Sequence, residues 1–291
     1  MEKRKARVIS HNSDRFEICE DGKISFVRAR GKLKRDGELL VGDFVETKEA
    51  DGETVISSVY PRRNSLIRPA VANVDAMVIV ISPSPEPDFI LADKMVINCK
   101  RAGIDCIICL NKRDTGGISA DEIRKQYGSD VSEVVTTSAL LGEIDELVAA
   151  IRGKLVCFAG QSGVGKSTLV NAIVGEDRHR TGEISEKIMR GKNTTTSARI
   201  VETDDGLTII DTPGFSMLDA FEEDYRALAS YYDDYVELAD DCRFHPCTHT
   251  AEPDCAVKRA VEEGRLDKNR YDRYAAIFAE TKDAYKSFGR K

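Results

Sequence analysis

Apolar and polar residues alternate in short runs over the first sixty positions, at Arg7-Val8-Ile9, Phe16-Glu17-Ile18 and Ile24-Ser25-Phe26-Val27. Asp-Gly pairs at 21–22, 36–37 and 51–52 separate the runs. A period of two sends alternate side chains to opposite faces of a strand, and Asp-Gly favours tight reversals, so a small antiparallel barrel is predicted. Gly42-Asp43-Phe44-Val45 and Val55-Ile56-Ser57-Ser58-Val59 supply later strands. Their short, even spacing suits a five-stranded OB-type barrel, and an SH3-like barrel fits nearly as well. Pro61 to Pro69 breaks the alternation and reads as a linker.

From Val74 the pattern changes to unbroken apolar runs alternating with helical stretches. Strands are predicted at Val78-Ile79-Val80-Ile81, Cys106 to Leu110, Val134-Val135 and Leu155 to Phe158. Helices are predicted at Leu91 to Ala102, Ala120 to Tyr127 and Ile144 to Ile151. Strand-helix alternation with apolar strands implies a parallel sheet covered on both faces, an α/β domain. Beyond Phe215 the pattern is mostly helical, interrupted by Cys and His residues between Asp241 and Ala256.

Composition narrows the class without naming a chemistry. The 291 residues allow two or three domains, with 41% hydrophobic and 32% charged residues. No run approaches the roughly 20 apolar residues of a membrane helix, and the N-terminus leads into no apolar signal region, so a cytoplasmic protein without a membrane partner is expected. In a reducing compartment the close cluster among the 8 cysteines reads as metal-holding rather than disulfide-bonded. The net charge of -7 argues against a uniformly basic coat, yet Lys3, Arg4, Lys5 and Arg7 gather locally, as do Arg28, Arg30, Lys32, Lys34 and Arg35 around Gly31.

Gly160-Gln161-Ser162-Gly163-Val164-Gly165-Lys166-Ser167 fills every fixed position of a P-loop, after an apolar strand and before a helix opening at Thr168. Glycines let backbone N–H groups converge on phosphate oxygens, and the helix N-terminus adds to the attraction. Lys166 is expected to reach the β- and γ-phosphates, and the Ser167 hydroxyl to coordinate Mg²⁺. Asp211, after the strand Leu207 to Ile210, opens Asp211-Thr212-Pro213-Gly214, an Asp-x-x-Gly pattern. It is the candidate second Mg²⁺ contact, and the Gly214 N–H a candidate γ-phosphate donor.

Asn111-Lys112-Arg113-Asp114 ends the strand through Leu110 and resembles the Asn-Lys-x-Asp motif of GTPases. The Asp114 carboxylate can accept from the two guanine donors, whereas adenine would leave that charge unpaired, so GTP and GDP are the expected ligands. Thr137-Ser138-Ala139 resembles the supporting base loop, with Ser138 and Ala139 as contacts. These readers precede the P-loop, the reverse of the Ras-type order, so the domain reads as circularly permuted; strand ends that meet in space tolerate such a relocation of termini.

Together, the barrel, the permuted order and the Cys/His cluster resemble the bacterial ribosome-small-subunit-dependent GTPases along essentially the whole chain. The resemblance implies an OB-fold at 1–65 contacting ribosomal RNA, a GTPase domain at 66–220 and a helical zinc domain at 221–291. It implies GTP hydrolysis stimulated by the small (30S) subunit and a role in late maturation of that subunit; a monomer is expected. Cys242, Cys247, His249 and Cys255, spaced Cys-x₄-Cys-x-His-x₅-Cys, are similar to the family's site for one structural Zn²⁺; His245 lies off that pattern. Lys166 and Asn193 are the candidate catalytic residues. Asn193, in the segment Arg190 to Thr196 that resembles the loop closing over GTP, stands where the family commonly has His. Asn cannot accept a proton near neutral pH. Phe215 occupies the position of the water-orienting Gln of Ras-type enzymes, so a slow intrinsic rate, below about 10⁻² s⁻¹, is expected. A GTP-binding placement factor that hardly turns over, and a P-loop kinase or ATPase, are the alternatives.

Overall fold

A computed structural model of the chain describes residues 4–12, 15–29, 39–50, 52–67, 69–178, 198–203, 206–211 and 224–288. Contacts divide the chain into two compact units that interleave along the sequence. The first comprises 1–78, 144–159 and 166–215; the second comprises 79–143, 160–165 and 216–291.

The first unit opens with a closed barrel of β1 (Arg4–Asn12), β2 (Arg15–Glu20), β3 (Lys23–Ala29), β4 (Phe44–Ala50) and β5 (Glu53–Val59). Strands β1, β2 and β3 pair antiparallel in sequence; β3 pairs parallel with β5, β5 antiparallel with β4, and β4 returns antiparallel to β1. That circular order, 1-2-3-5-4, is the OB arrangement, so backbone pairing separates two folds that the alternation alone left open. Phe16, Ile18, Val27, Val45 and Ile56 fill the interior, and the residues between them face outward.

The stretch read as a linker is fastened to the barrel. β6 (Ser65–Leu66) pairs with β7 (Val71–Ala72), and Arg62 holds the fully buried Asp43 with Nε–Oδ1 2.7 Å and Nη2–Oδ2 2.8 Å. Asn64 and Asn73 use their amides to satisfy irregular backbone at Val74, Arg63 and Gly42. Side chains thereby replace the ladder bonds that broken alternation cannot supply.

Further along, β11 (Leu155–Ala159) and β13 (Thr208–Asp211) pair in parallel, and α3 (Asp145–Ile151) and α4 (Lys166–Arg178) belong to the same unit. β12 (Arg199–Glu202) departs from the expected all-parallel sheet by pairing antiparallel with β13. Thr203 and Gly206 close a tight reversal there, Thr203 N–H donating to Leu207 O and Gly206 N–H to Thr203 O, and a hairpin connection dictates the antiparallel sense. β12 also meets β1 at Ser10 and Arg199.

The second unit holds the end of β8 (Ala76–Ile81), β9 (Asp105–Leu110) and β10 (Glu133–Thr136), with β9 and β10 parallel. α1 (Phe89–Ala102) starts at an Asp88 cap whose carboxylate accepts from Leu91 N–H and stops at Gly103 in the left-handed region. α2 (Ala120–Tyr127) has a reciprocal capping box between Ser119 and Glu122. The C-terminal helices are α5 (Asp233–Leu238), α6 (Ala256–Glu262) and α7 (Lys268–Phe288). They pack Tyr235, Val257, Tyr274 and Ile277, together with Leu228 of the preceding 3₁₀ turn and Tyr232 at its C-cap, against Ile97 of α1. No described helix is long and apolar enough to cross a membrane.

Charged pairs buried between α1, α2 and α7 give this packing its register. Arg273 Nε meets Asp93 Oδ2 at 2.5 Å with Asp93 1% exposed, and Asp130 is held by both Lys100 and Arg270. The Arg270 guanidinium also lies 4.7 Å from the Tyr127 ring centroid and 5.0 Å from that of Tyr232. Removing one partner strands the other in a low-dielectric interior. Asp93→Ala is therefore expected to cost about 3 kcal/mol in chemical denaturation, and the double variant with Arg273→Met to recover most of it.

Candidate nucleotide site and metal centre

Within the second unit, the loop Gly160–Gly165 meets the chain that follows β9. Asn111 is 1% exposed and uses its whole amide: Nδ2–H donates to Val164 O at 2.9 Å, while Oδ1 accepts from Thr137 Oγ1 at 3.0 Å and Ala139 N–H at 3.2 Å. It thus ties the loop at 160–165 to the Thr137-Ser138-Ala139 loop. Lys112, in the left-handed region at φ 60°, donates from Nζ to Ser84 O at 2.6 Å and Gly163 O at 2.8 Å. Arg113 pairs instead with Glu143, Nη2–Oε2 2.7 Å, and the backbones of Ser138 and Glu143 bond each other. Ser138 Oγ donates to Asp114 Oδ1 at 2.5 Å, which fixes the plane of that carboxylate.

Two glycines are required by close approach. A Cβ on Gly160, at φ +136°, would strike Val80 O; one on Gly165, at φ +97°, would strike Asn111 Nδ2. Both carry the left-handed backbone that L side chains avoid. Gln161 Oε1 accepts from Asp88 N–H at 3.2 Å, linking the loop to the start of α1; Ser162 is exposed. The sequence reading missed Ser84, Asp88 and Glu143: two act through backbone atoms, which carry no residue signature, and Glu143 through an exposed ion pair.

In the first unit, Lys166, Ser167 and Thr168 form the first turn of α4. Asp211 ends β13 one step beyond the Cys157–Ile210 pair of the parallel ladder, so it projects from the same sheet end at which β11 finishes. Partial burial lowers the Lys166 pKa and raises that of Asp211, because each charged group loses hydration. An anion at Lys166 and a cation at Asp211 would reverse both penalties, which is the donor set a magnesium nucleotide requires. Asn193 and Gly214 lie outside the described residues, as do Thr194, Thr195, Thr196, Phe215 and the basic residues Lys3, Arg30, Lys32, Lys34 and Arg35.

Cys242, Cys247, His249 and Cys255 do converge. Their ligand atoms all lie within 4.8 Å of one another. Cys242 Sγ is 3.9 Å from Cys255 Sγ and 3.6 Å from His249 Nδ1, and His249 Nδ1 is 3.4 Å from Cys255 Sγ. A tetrahedral ion with thiolate bonds of about 2.3 Å and an imidazole bond of about 2.0 Å puts neighbouring donors about 3.5 to 3.8 Å apart, so the set fits one such metal ion. Ala256 N–H donates to Cys242 Sγ and His249 N–H to Cys247 Sγ, bonds that favour thiolates. Without a cation, burial pushes the Cys247 thiol up to about 12.

The surrounding loop is equally determined. Tyr271 Oη donates to His249 O at 2.8 Å and Tyr274 Oη to Thr248 O at 2.6 Å. Burial opposes ionisation of Glu252, yet donors from the Thr248 hydroxyl and the Thr248 and Thr250 backbones hold its pKa at about 2.

Comparison with known proteins agrees with this geometry. A sequence model described as RsgA GTPase matches residues 59–221. A protein of Caldanaerobacter subterraneus named "Small ribosomal subunit biogenesis GTPase RsgA" is 38% identical, the alignment covering 98% of each chain. One of the same name from Moorella thermoacetica is 39% identical over 94% of this chain and 96% of its own. The crystal structure of YjeQ from Thermotoga maritima superposes with a TM-score of 0.80 at 32% identity, covering 96% of this chain and 99% of that one. YloQ, described as a circularly permuted GTPase, gives 0.78 at 29% identity, with 97% and 96% covered. With its P-loop downstream of its Asn-Lys-x-Asp segment and relatives matched from end to end, the chain belongs to the RsgA GTPase family.

Proposed function

We propose that this chain binds GTP with Mg²⁺, hydrolyses it to GDP and phosphate on the small (30S) ribosomal subunit, and thereby assists late maturation of that subunit. The observation that carries the reading is the Asn111 amide, which bonds the Val164 carbonyl and the Ala139 N–H together. One buried side chain thus joins a phosphate loop to a base loop, as a purine nucleotide spanning both requires. Relatives named for small-subunit biogenesis supply the biological step.

In this reading Asp114 takes the guanine edge, with Ser138 and Ala139 beside the base. The loop from Gly160 through Gly165 wraps the phosphates, with Gln161, Ser162, Gly163 and Val164 offering backbone N–H groups. Lys166 neutralises charge at the transferred phosphoryl, and Ser167 and Asp211 hold Mg²⁺. Asn193 can hold a water by hydrogen bonds but accepts no proton near neutral pH, and the Gly214 N–H of the Asp-x-x-Gly segment bonds the γ-phosphate. Zn²⁺ is the metal proposed for the Cys₃His set, with a structural role, because all four positions are protein ligands. Residues 1–65 form the RNA-contacting OB domain, 66–220 the GTPase domain and 221–291 the zinc domain, in a cytoplasmic monomer.

The test is turnover of GTP with and without purified small subunits. Expected is a slow rate alone, a rise of at least about 10-fold with subunits, and loss of turnover in Lys166→Ala, consistent with charge neutralisation in phosphoryl transfer. Equal rates with and without subunits would remove activation in trans from the proposal.

A further inference from the structure

Four residues on neighbouring strands of the first unit stand in one row. Asp211 of β13 is the cross-strand partner of Arg199 in β12, Arg199 is that of Ser10 in β1, and Ser10 is that of Glu17 in β2. The register of β1 shifts between Val8 and Ser10, so the row meets Ser10 rather than Ile9. Residues directly opposite one another share a face of the sheet. The row therefore sets an arginine between two carboxylates, Asp211 one strand away on one side and Glu17 two strands away on the other.

Arg199 bonds the farther of the two. Its Nη2 lies 3.0 Å from Glu17 Oε1, across Ser10, whose Oγ donates to Glu17 Oε2 at 2.8 Å. Glu17 is 7% exposed, and a carboxylate so buried stays charged only with both donors in place. Asp211, at the end of β13, is exposed and has no ion-pair partner among the described residues. Directly opposite positions have Cβ atoms about 4.5 to 5.5 Å apart, a gap that an arginine side chain spans. A guanidinium released from Glu17 can therefore reach Asp211, where it would occupy that carboxylate and oppose any cation held there.

We propose that Glu17 is a positioning residue for Mg²⁺: it holds Arg199 off Asp211 and so keeps that carboxylate open to the cation. The proposal rests on the reading of Asp211 as an Mg²⁺ contact, and adds to it two residues that neither the P-loop nor the Asp-x-x-Gly pattern contains. Because Ser10 and Glu17 belong to the barrel, Mg²⁺ retention depends on how β1 and β2 are seated against β12.

The experiment follows binding of fluorescent GDP to the full chain as MgCl₂ is titrated, and reads the Mg²⁺ concentration at the midpoint. Glu17→Ala is expected to raise that midpoint by about 3- to 10-fold, the range of one charge-assisted bond weakened by exposure. Arg199→Gln is expected to leave it at or below the wild-type value, and the double variant to match Arg199→Gln. A purely structural ion pair would behave otherwise, since losing either partner would then weaken Mg²⁺ binding and the double variant would be no better. Glu17→Gln keeps the Ser10 bond and moves the midpoint in the same direction, and serves should the alanine variant be less stable.

A wild-type midpoint in both Glu17 variants overturns the proposal, as does a rise from Glu17→Ala that persists without Arg199. Asp211→Asn is the control, expected to raise the midpoint by at least about 10-fold because an amide is a weaker ligand than a carboxylate for a hard cation. A wild-type midpoint in that variant instead removes Asp211 from the Mg²⁺ shell itself.

Discussion

Asp114→Asn is expected to lower affinity for GDP by roughly 10²- to 10⁴-fold and to confer binding of xanthosine diphosphate. Guanine offers two donors on one edge, at N1–H and the exocyclic amine, and a carboxylate accepts both. An amide can accept only one and turns its own N–H₂ toward the other, leaving two donors face to face. Xanthine carries a carbonyl in place of the amine, so donor and acceptor match again. Ser138, whose hydroxyl already holds Asp114 Oδ1, keeps the substituted side chain in the same plane. Calorimetric titration with both nucleotides checks this, and undiminished GDP affinity in the variant would exclude Asp114 as the base reader.

Removing the metal, by a strong chelator or by Cys255→Ser, is expected to unfold the C-terminal helices. Apparent free energies of roughly 10 to 16 kcal/mol for structural zinc equal or exceed the whole stability of a typical domain, about 5 to 15 kcal/mol. Around the ligands, Tyr235 lies 5.7 Å edge-on to His249, and Tyr271 and Tyr274 bond the backbone of the same loop. Losing the loop therefore loosens α7, and with it Arg270 and Arg273, which satisfy Asp130 and Asp93. Hydrogen exchange read along the chain should show protection falling first over 242–256, then over α7, then over α1. A metal-free protein with the same melting transition and the same exchange pattern would contradict the structural role.

The elements that could be read from sequence are those whose physics is local. The P-loop was legible because its glycines answer local demands: Gly160 and Gly165 lie against Val80 and Asn111, and Gly163 carries a left-handed backbone at φ +84°. α2 was located to the residue, since Ser119 and Glu122 mark its start and Gly128 its end. The closed order of the barrel was not legible, because alternation fixes a strand's faces but not its neighbours. β12, four residues long, carries too little pattern to separate from loop, and its antiparallel sense depends on a reversal at 203–206.

Most hidden of all were the buried ion pairs. Asp93 and Arg273 are 180 positions apart, and a charged residue inside a helical stretch reads as solvated surface until its partner is seen. The hydrolytic group is a different case: Asn193 replaces the expected His, and its loop lies outside the described residues, so neither local pattern nor geometry assigns it.

One measurement bears on the central claim most directly: calorimetric titration of the purified chain with GDP and with ADP, each with Mg²⁺. Saturable heat with GDP at one nucleotide per chain, and none with ADP at the same concentrations, is the result predicted from loops of separate strands meeting at a guanine. Comparable heat from ADP, or none from GDP, would contradict it.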